Sequence, residues 1–426
     1  MTHALLNTLR LARDPARFLG ELRARQGPAA ATELWPIGHL LVLSDPQALA
    51  ELFAADPDLV RAGAATERVL PLLQGSVLCA DGADHQARRR RLQPVFRASS
   101  VAALADEAEQ MTRRALAMLP SGSPVEMLPV FRRLTFGLLC RVVLGTGEPA
   151  RAAPIAHALD RFISGPPILA TWPTRLRPFL LPALRRRQAE LDALLRAELE
   201  RGPGEGSAAT ALLATQVPED ELLAELRALL IVGQETTASA LAWGTELLAR
   251  HPRKARQLAD GDGDYASAVA RETLRLRPSV VDAVRLAAAP VSLAGRGFPT
   301  GTLLMAAPLL VHLDPDVHEH PHEFRPERFL DTLPAPGSFI PFGGGSRRCL
   351  GAPLAMLQLR TVLPTIVRAA RLGSTTPVPE PARLRGTAVI PSAGAPILLL
   401  PAERRHLSFE PEKTGKPPTS SGTTPR

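Results

Sequence analysis

The chain has 426 residues, 50 Lys and Arg against 42 Asp and Glu, and a formal net charge of +8. An apolar share of 45% is ample for a large core and excludes a disordered chain. The positive charge does not read as a nucleic-acid footprint, because acids are spread along the chain, aromatics are only 4%, and no zinc-finger or RNP pattern occurs.

In chain order, residues 1–27 predict a basic amphipathic helix, and residues 33–46 two short strands stopped by Asp45-Pro46. Helical periodicity covers 83–119, with a dense arginine cluster, and 125–145, ending at Gly145. Two helices over 154–200 are broken by a Pro-rich link, and a Gly/Pro loop follows at 201–207. A long helix spans 218–250, with Glu219, Asp220 and Glu221 in its first turn, where the dipole favours acids, and Pro252 beyond its end. A helix ends at Pro278; short β segments occupy 280–286, 291–293 and 302–305; an irregular Pro-rich stretch fills 314–347. An amphipathic helix over 352–371 and a closing hairpin over 386–400 complete the pattern. The expectation is a mainly α protein with minor β, one large domain over 1–403, and a disordered polar tail over 404–426 that holds +3 of the charge.

Cys79, Cys140 and Cys349 stand far apart without a CxxC pair, which suits a reducing compartment better than a disulfide framework. No apolar run nears the roughly 20 residues that span a bilayer. Asn7, Arg10, Arg13 and Asp14 interrupt the region where a signal peptide would be apolar. A cytoplasmic protein without a membrane span is expected.

The most informative segment is Phe339-Ile340-Pro341-Phe342-Gly343-Gly344-Gly345-Ser346-Arg347-Arg348-Cys349-Leu350-Gly351. A cysteine directly before a helix, after a glycine-rich turn and two arginines, meets three features that stabilise a thiolate: unpaired N–H groups, the positive dipole end and nearby cations. Such a thiolate serves either as a nucleophile, which needs a base, or as a metal ligand. The ordinary reading, a small buried hydrophobe, suits Cys79 and Cys140. It leaves the approach to Cys349 unexplained.

The run F-G-G-G-S-R-R-C-L-G resembles the haem-thiolate signature of the cytochrome P450 family, F-x-x-G-x-R-x-C-x-G, and three further motifs extend the resemblance over roughly residues 1–400. The resemblance implies a single P450 fold and a soluble, bacterial-type monooxygenase that holds haem b through Cys349, with Phe342 in the same loop. Glu272-Thr273-Leu274-Arg275 resembles the family's E-x-x-R helix, and Arg328 in Pro326-Glu327-Arg328-Phe329 supplies the third member of the implied charge network. Val232-Gly233-Gln234-Glu235-Thr236-Thr237 is similar to the oxygen-activating pattern. There Glu235 and Thr236 would relay protons, Gly233 would leave room for O2, and Val232 stands where Ala or Gly is usual. A Thr pair bonding back to its own helix is the ordinary alternative. His85-Gln86-Ala87-Arg88-Arg89 resembles the family's H/W-x-x-x-R helix. His85, Arg89, Arg285 and Arg347 are the implied propionate partners.

The implied reaction inserts one atom of O2 into a C–H bond. Only 77 residues follow Cys349, so the expectation is a monomer that takes electrons from a separate ferredoxin-type donor and its reductase. Arg88, Arg90 and Arg91, with Arg348, would form a basic docking face. Family position suggests a pocket of Leu72, Leu73, Val77, Ile168, Leu169, Trp172, Leu229, Val232, Val280, Val281, Val284 and Ile390, with Asp282 and Arg175 as polar exceptions. That lining suits a small lipophilic substrate: a terpenoid, steroid or fatty-acid-like molecule. The alternatives are a peroxygenase or isomerase on the same fold, a non-catalytic haem sensor, and a haem-free Cys-dependent hydrolase. His312, His318, His320 and His322 read as drift in a surface segment rather than a metal site.

Overall fold

Asp14 splits the basic N-terminal segment. Its carboxylate accepts from the Arg17 N–H, and Pro15, with no N–H to lose, enters the first turn of a new helix. The computed structural model, which describes residues 2–164, 177–330 and 334–401, thus begins with helices Thr2–Arg13 and Pro15–Gln26 where the periodicity predicts one. The arginine-rich stretch is likewise divided, into Gly82–Leu92, Ala98–Ala102 and Ala105–Ala117.

Helix Met127–Leu144 stops at Gly145, whose φ of 77° is left-handed and whose N–H returns to the Arg141 carbonyl. Helices Pro149–Ser164 and Arg177–Glu200 follow, then the long helix Glu219–Arg250. The long helix is the axis of the core. Its residues 222–230 and 237–249 are buried throughout, and only the stretch 231–236 between them is mostly open. Leu241 and Leu248 pack with Leu134 and Leu138 of Met127–Leu144, with Val269 and Leu274 of helix Gly263–Leu276, and with Leu359 and Leu363 of helix Ala352–Ala369. Leu222 and Leu226 join a second cluster with Val143, Ile155, Leu159, Leu191 and Leu195. Each buried leucine contributes roughly 1.5–3 kcal/mol of transfer free energy. The two clusters therefore hold the long helix firmly on either side of its open stretch.

The largest sheet has five strands in the order Ala29–Leu34, Gly38–Leu43, Leu303–Ala306, Ala283–Ala287, Val60–Arg61. Only Gly38–Leu43 with Leu303–Ala306 is parallel. The C-terminal strands do not form one hairpin as predicted. Ala382–Arg385 pairs with Ala388–Pro391, whereas Pro396–Pro401 pairs with Ala370–Ser374 and Pro124–Glu126 in another sheet. The architecture is mainly helical with small sheets. Among the described residues, no helix is long and apolar enough to cross a membrane. The tail 404–426 and residues Ile168, Leu169, Trp172 and Arg175 lie outside the described residues.

Candidate active site

The cysteine loop is built by close backbone approach. Gly343 and Gly345 both take φ of 63°, and a Cβ on Gly345 would lie 1.9 Å from the Phe53 carbonyl oxygen, so only glycine fits there. The Cys349 N–H donates to the Phe342 carbonyl at 2.9 Å and closes the turn. The N–H groups of Gly351 and Ala352 reach the sulfur at the start of helix Ala352–Ala369. Burial pushes the Cys349 thiol up, while these N–H groups, Arg89 and Arg348 pull it back. Cys79 and Cys140 lack that support, and burial pushes both to about 12.

Cys349 is open to an internal cavity of about 360 Å³. The structure brings Phe342, Arg347, His85, Arg89, Arg285, Gly233, Thr236 and Val232 to the same cavity, from four separate parts of the chain. Burial pulls Arg89 and Arg347 down and takes Arg285 to about 10. Burial also lowers His85 to about 4, with Arg347 and Arg89 adding repulsion. Arg89 donates to the Arg348 carbonyl at 2.6 Å, and Arg285 donates to the Val284 carbonyl at 2.8 Å while lying 5.5 Å from the centre of the Phe53 ring. Arg347 has a carboxylate partner, Asp81, at 2.6 Å. With Arg348, five basic side chains thus gather at one cavity; Asp81 pairs with Arg347, and Asp282 is the one acid on the cavity wall itself. A dianion is the complement they lack, and a thiol stands at the same cavity to ligate a metal. The residues present fit haem b: the thiolate for iron, the basic cluster for the propionates, and a mostly apolar lining for the ring.

Glu235 departs from its expected place. Its carboxylate binds Arg132 at 2.5 Å and Arg385 at 3.0 Å, and it does not line the cavity. Thr236 does, but its Oγ1 donates to the Val232 carbonyl at 3.1 Å, the back-bonded arrangement. A Cβ on Gly233 would meet the Leu139 side chain at 2.8 Å, so this glycine first serves the close approach of two helices.

Of the expected pocket residues, Val77, Leu229, Val232 and Val280 line the cavity. Leu73, Val281 and Ile390 are buried away from it in the core, Leu72 lines a neighbouring cavity, and Val284 lines a side cavity beside the main one. Phe96, Thr135 and Leu139 line it and escaped prediction. Thr135 and Leu139 are four apart on one helix, a face that periodicity alone does not mark as functional. Glu225 also escaped notice. It is buried on the long helix two turns before Val232, accepts from the Val77 N–H at 2.9 Å and binds Arg88 at 3.2 Å, which ties the Val77 segment to the helix.

Arg88 and Arg91 do not form an open basic face. Arg88 pairs with Asp84, Glu221 and Glu225, and Arg91 with Glu221 at 2.7 Å; Arg90 and Arg348 are exposed. The histidine segment is at the surface only in part: His320 and His322 are exposed, whereas His312 and His318 are buried. His312 is fully buried and accepts from the Ile340 N–H at 2.9 Å, while His318 Nε2 meets the Ser338 carbonyl at 3.0 Å. Both fasten the Pro-rich stretch to the chain entering the cysteine loop. No cluster of three metal-ligating side chains occurs among the described residues.

Behind the loop, Glu272 and Arg275 are both fully buried and 2.7 Å apart, with Arg328 at 3.1 Å from Glu272. Arg275 also donates to the carbonyls of His312, Pro321 and Glu323, and the Arg325 N–H donates to Glu272 at 2.8 Å. The network is well satisfied, and Glu272, Arg275 and Arg328 do not themselves line the cavity.

Comparison with known proteins agrees with this geometry. Residues 263–395 match the family model "Cytochrome P450". "Putative cytochrome P450 135B1" of Mycobacterium tuberculosis is 35% identical over 411 residues, covering 90% of this chain and 87% of that protein. "Putative cytochrome P450 137" of the same species is 31% identical, covering 92% and 87%. Among solved structures, a cyanobacterial CYP120A1 superposes with a TM-score of 0.81 at 23% identity, covering 93% and 96% of the two chains. CYP175A1 of Thermus thermophilus gives 0.73 at 26%, covering 94% and 98%.

Proposed function

The chain belongs to the cytochrome P450 family, whose members are haem-thiolate monooxygenases, and on that premise we propose that it oxidises a small lipophilic molecule at the cavity beside Cys349. The observation that carries the reading is the pairing of a single cysteine supported by backbone N–H groups with a cluster of basic side chains at one mostly apolar cavity. Haem, when bound, supplies the activation of O2.

This chain's own residues prepare the site for it. The Gly351 and Ala352 N–H groups, with Arg89 and Arg348, lower the cost of a Cys349 thiolate. Arg89, Arg285, Arg347 and His85 would hold the two carboxylates of the ring. Val77, Phe96, Leu139, Leu229, Val232 and Val280 exclude water and would orient a terpenoid, steroid or fatty-acid-like body. Thr236 places a hydroxyl at the cavity, where it would hold a water and move a proton toward the reacting oxygen. Glu235, tied to Arg132 and Arg385, would reach that hydroxyl only by exchanging an arginine partner. A ferredoxin-type protein with its reductase would supply electrons at the exposed side of the cysteine loop. The unit assigned to this work is residues 1–403.

The test is the carbon-monoxide difference spectrum of the reduced protein. A red-shifted Soret band is expected for the wild type and its loss for Cys349→Ala. A band that survives in the variant removes Cys349 from the iron.

A further inference from the structure

The cavity wall carries one acid that neither the basic cluster nor the proton route uses. Asp282 lines the main cavity and also the side cavity of about 180 Å³ bounded by Val69, Leu70, Thr387, Arg285 and Arg347. Its segment is held at both ends. Val280 bridges Ala388, the Val389 N–H donates to the Ser279 carbonyl at 2.9 Å, and Ala283 begins the strand paired to Ala306. A backbone fixed this way limits where the Asp282 carboxylate can reach and so lowers the cost of ordering it on a ligand.

Asp282 has no side-chain partner among the described residues. Arg285, three positions on, donates to the Val284 carbonyl and lies over the Phe53 ring, and makes no hydrogen bond to Asp282. Arg347 is paired to Asp81, and Arg89 bonds the Arg348 carbonyl. Burial pushes Asp282 up to about 6, and its own backbone N–H is the opposing contact. The wall around it is aliphatic at Val69, Leu70 and Val280 and also carries Arg285 and Arg347, yet neither guanidinium bonds the carboxylate. A carboxylate left without a partner is costly and calls for one supplied from outside. Ser279, also at the cavity, is a buried polar side chain without a hydrogen bond among the described residues.

We infer that Asp282 determines specificity, and that the substrate of this site is a lipophilic cation whose ammonium group pairs with this carboxylate. The inference rests on the lipophile reading above and narrows it. The positive charge anchors one end of the molecule on the 279–282 segment. The apolar body extends along Val280, Leu229 and Val232, past the Cys349 side of the cavity. The pair contributes affinity and fixes which carbon of the body is presented for oxidation. A neutral terpenoid or a fatty acid gains nothing from Asp282, and a carboxylate is repelled by it.

Octyltrimethylammonium is a suitable probe, because its nitrogen has no lone pair with which to ligate iron. It is compared with 2,2-dimethyldecane, its neutral carbon isostere, by calorimetric titration of the haem-loaded wild type and of Asp282→Asn. The wild type should bind the ammonium probe at least about tenfold more tightly than the isostere. Asp282→Asn should lose that preference while keeping its affinity for the isostere and its visible spectrum. Equal affinity for both probes in the wild type, or a preference that survives in Asp282→Asn, overturns the inference and leaves the lipophile reading standing. Binding of neither probe overturns both. Asp282→Glu, which keeps the charge, should retain part of the preference.

Discussion

His85 shows how a single side chain reports on what the cavity is built to hold. Burial, with Arg347 and then Arg89 adding repulsion, holds its imidazole near 4, against an ordinary value of about 6.5. The unfolded chain therefore binds a proton more readily across that window. His85 then lowers the stability of the haem-free protein as pH falls from about 6.5 toward 4. The propionates of haem would reverse the sign of the local field and raise this pKa. Titration of isotope-labelled histidine by NMR should place His85 near 4 without haem and at least about one unit higher with it. An unchanged value would remove His85 from the propionate site. At this scale the sequence is legible where a motif fixes both type and direction, as at His85, Arg89 and Cys349. It is not legible at Glu235. The carboxylate there is turned by Arg132 and Arg385, separated from it by 103 and 150 positions, and no local spacing encodes such partners.

At the scale of elements, the same contrast separates the E-x-x-R helix from its surroundings. Helix Gly263–Leu276 presents Glu272 and Arg275 on one face, as an i, i+3 spacing requires. Tertiary contacts then convert an ordinary surface pattern into a fully buried joint. Arg275 fills its remaining donors with carbonyls from the Pro-rich stretch, and Glu272 accepts from Arg325 and Arg328. That joint holds the irregular segment on which His312 and the entry to the cysteine loop depend. Glu272→Gln leaves Arg275 buried without its counter-charge, so it should destabilise by about 3–5 kcal/mol. Urea unfolding with unchanged slope would measure it. Exchanging both partners, Glu272→Leu with Arg275→Met, should cost less than the two single changes added together. Additive losses would show that the pair does not act as a unit. Segmentation was less legible than these contacts. The break at Asp14 is written in a capping residue followed by proline. The parting of Ala388–Pro391 from Pro396–Pro401 is decided by partners at Ala370–Ser374 and, far away in the chain, at Pro124–Glu126.

Across the whole molecule, the net charge of +8 divides into arginines that face inward and arginines left for partners. Arg275 and Arg328 belong to the buried joint, Arg89, Arg285 and Arg347 to the cavity, and Arg88 and Arg91 to carboxylates of the long helix. The docking face expected at Arg88, Arg90 and Arg91 therefore reduces to Arg90 and Arg348. Both are exposed, and they are linked through Arg89, whose guanidinium bonds the Arg348 carbonyl. Two exposed cations beside the cysteine loop would steer an acidic electron carrier, and steering acts on the association rate and is screened by salt. Reduction by an acidic ferredoxin should slow several-fold between about 0.01 and 0.15 M salt, where the screening length falls from about 30 to 8 Å. Arg90→Glu should produce much of that loss at low salt and almost none at high salt, with the carbon-monoxide spectrum unchanged. Arg88→Ala should act differently, lowering stability and loosening the Val77 segment by stripping Glu225 of its counter-charge, because Glu225 is buried and burial already raises its pKa. A reduction rate indifferent to salt, or an Arg88→Ala that slows reduction as Arg90→Glu does without loss of stability, would place the docking surface elsewhere on the molecule.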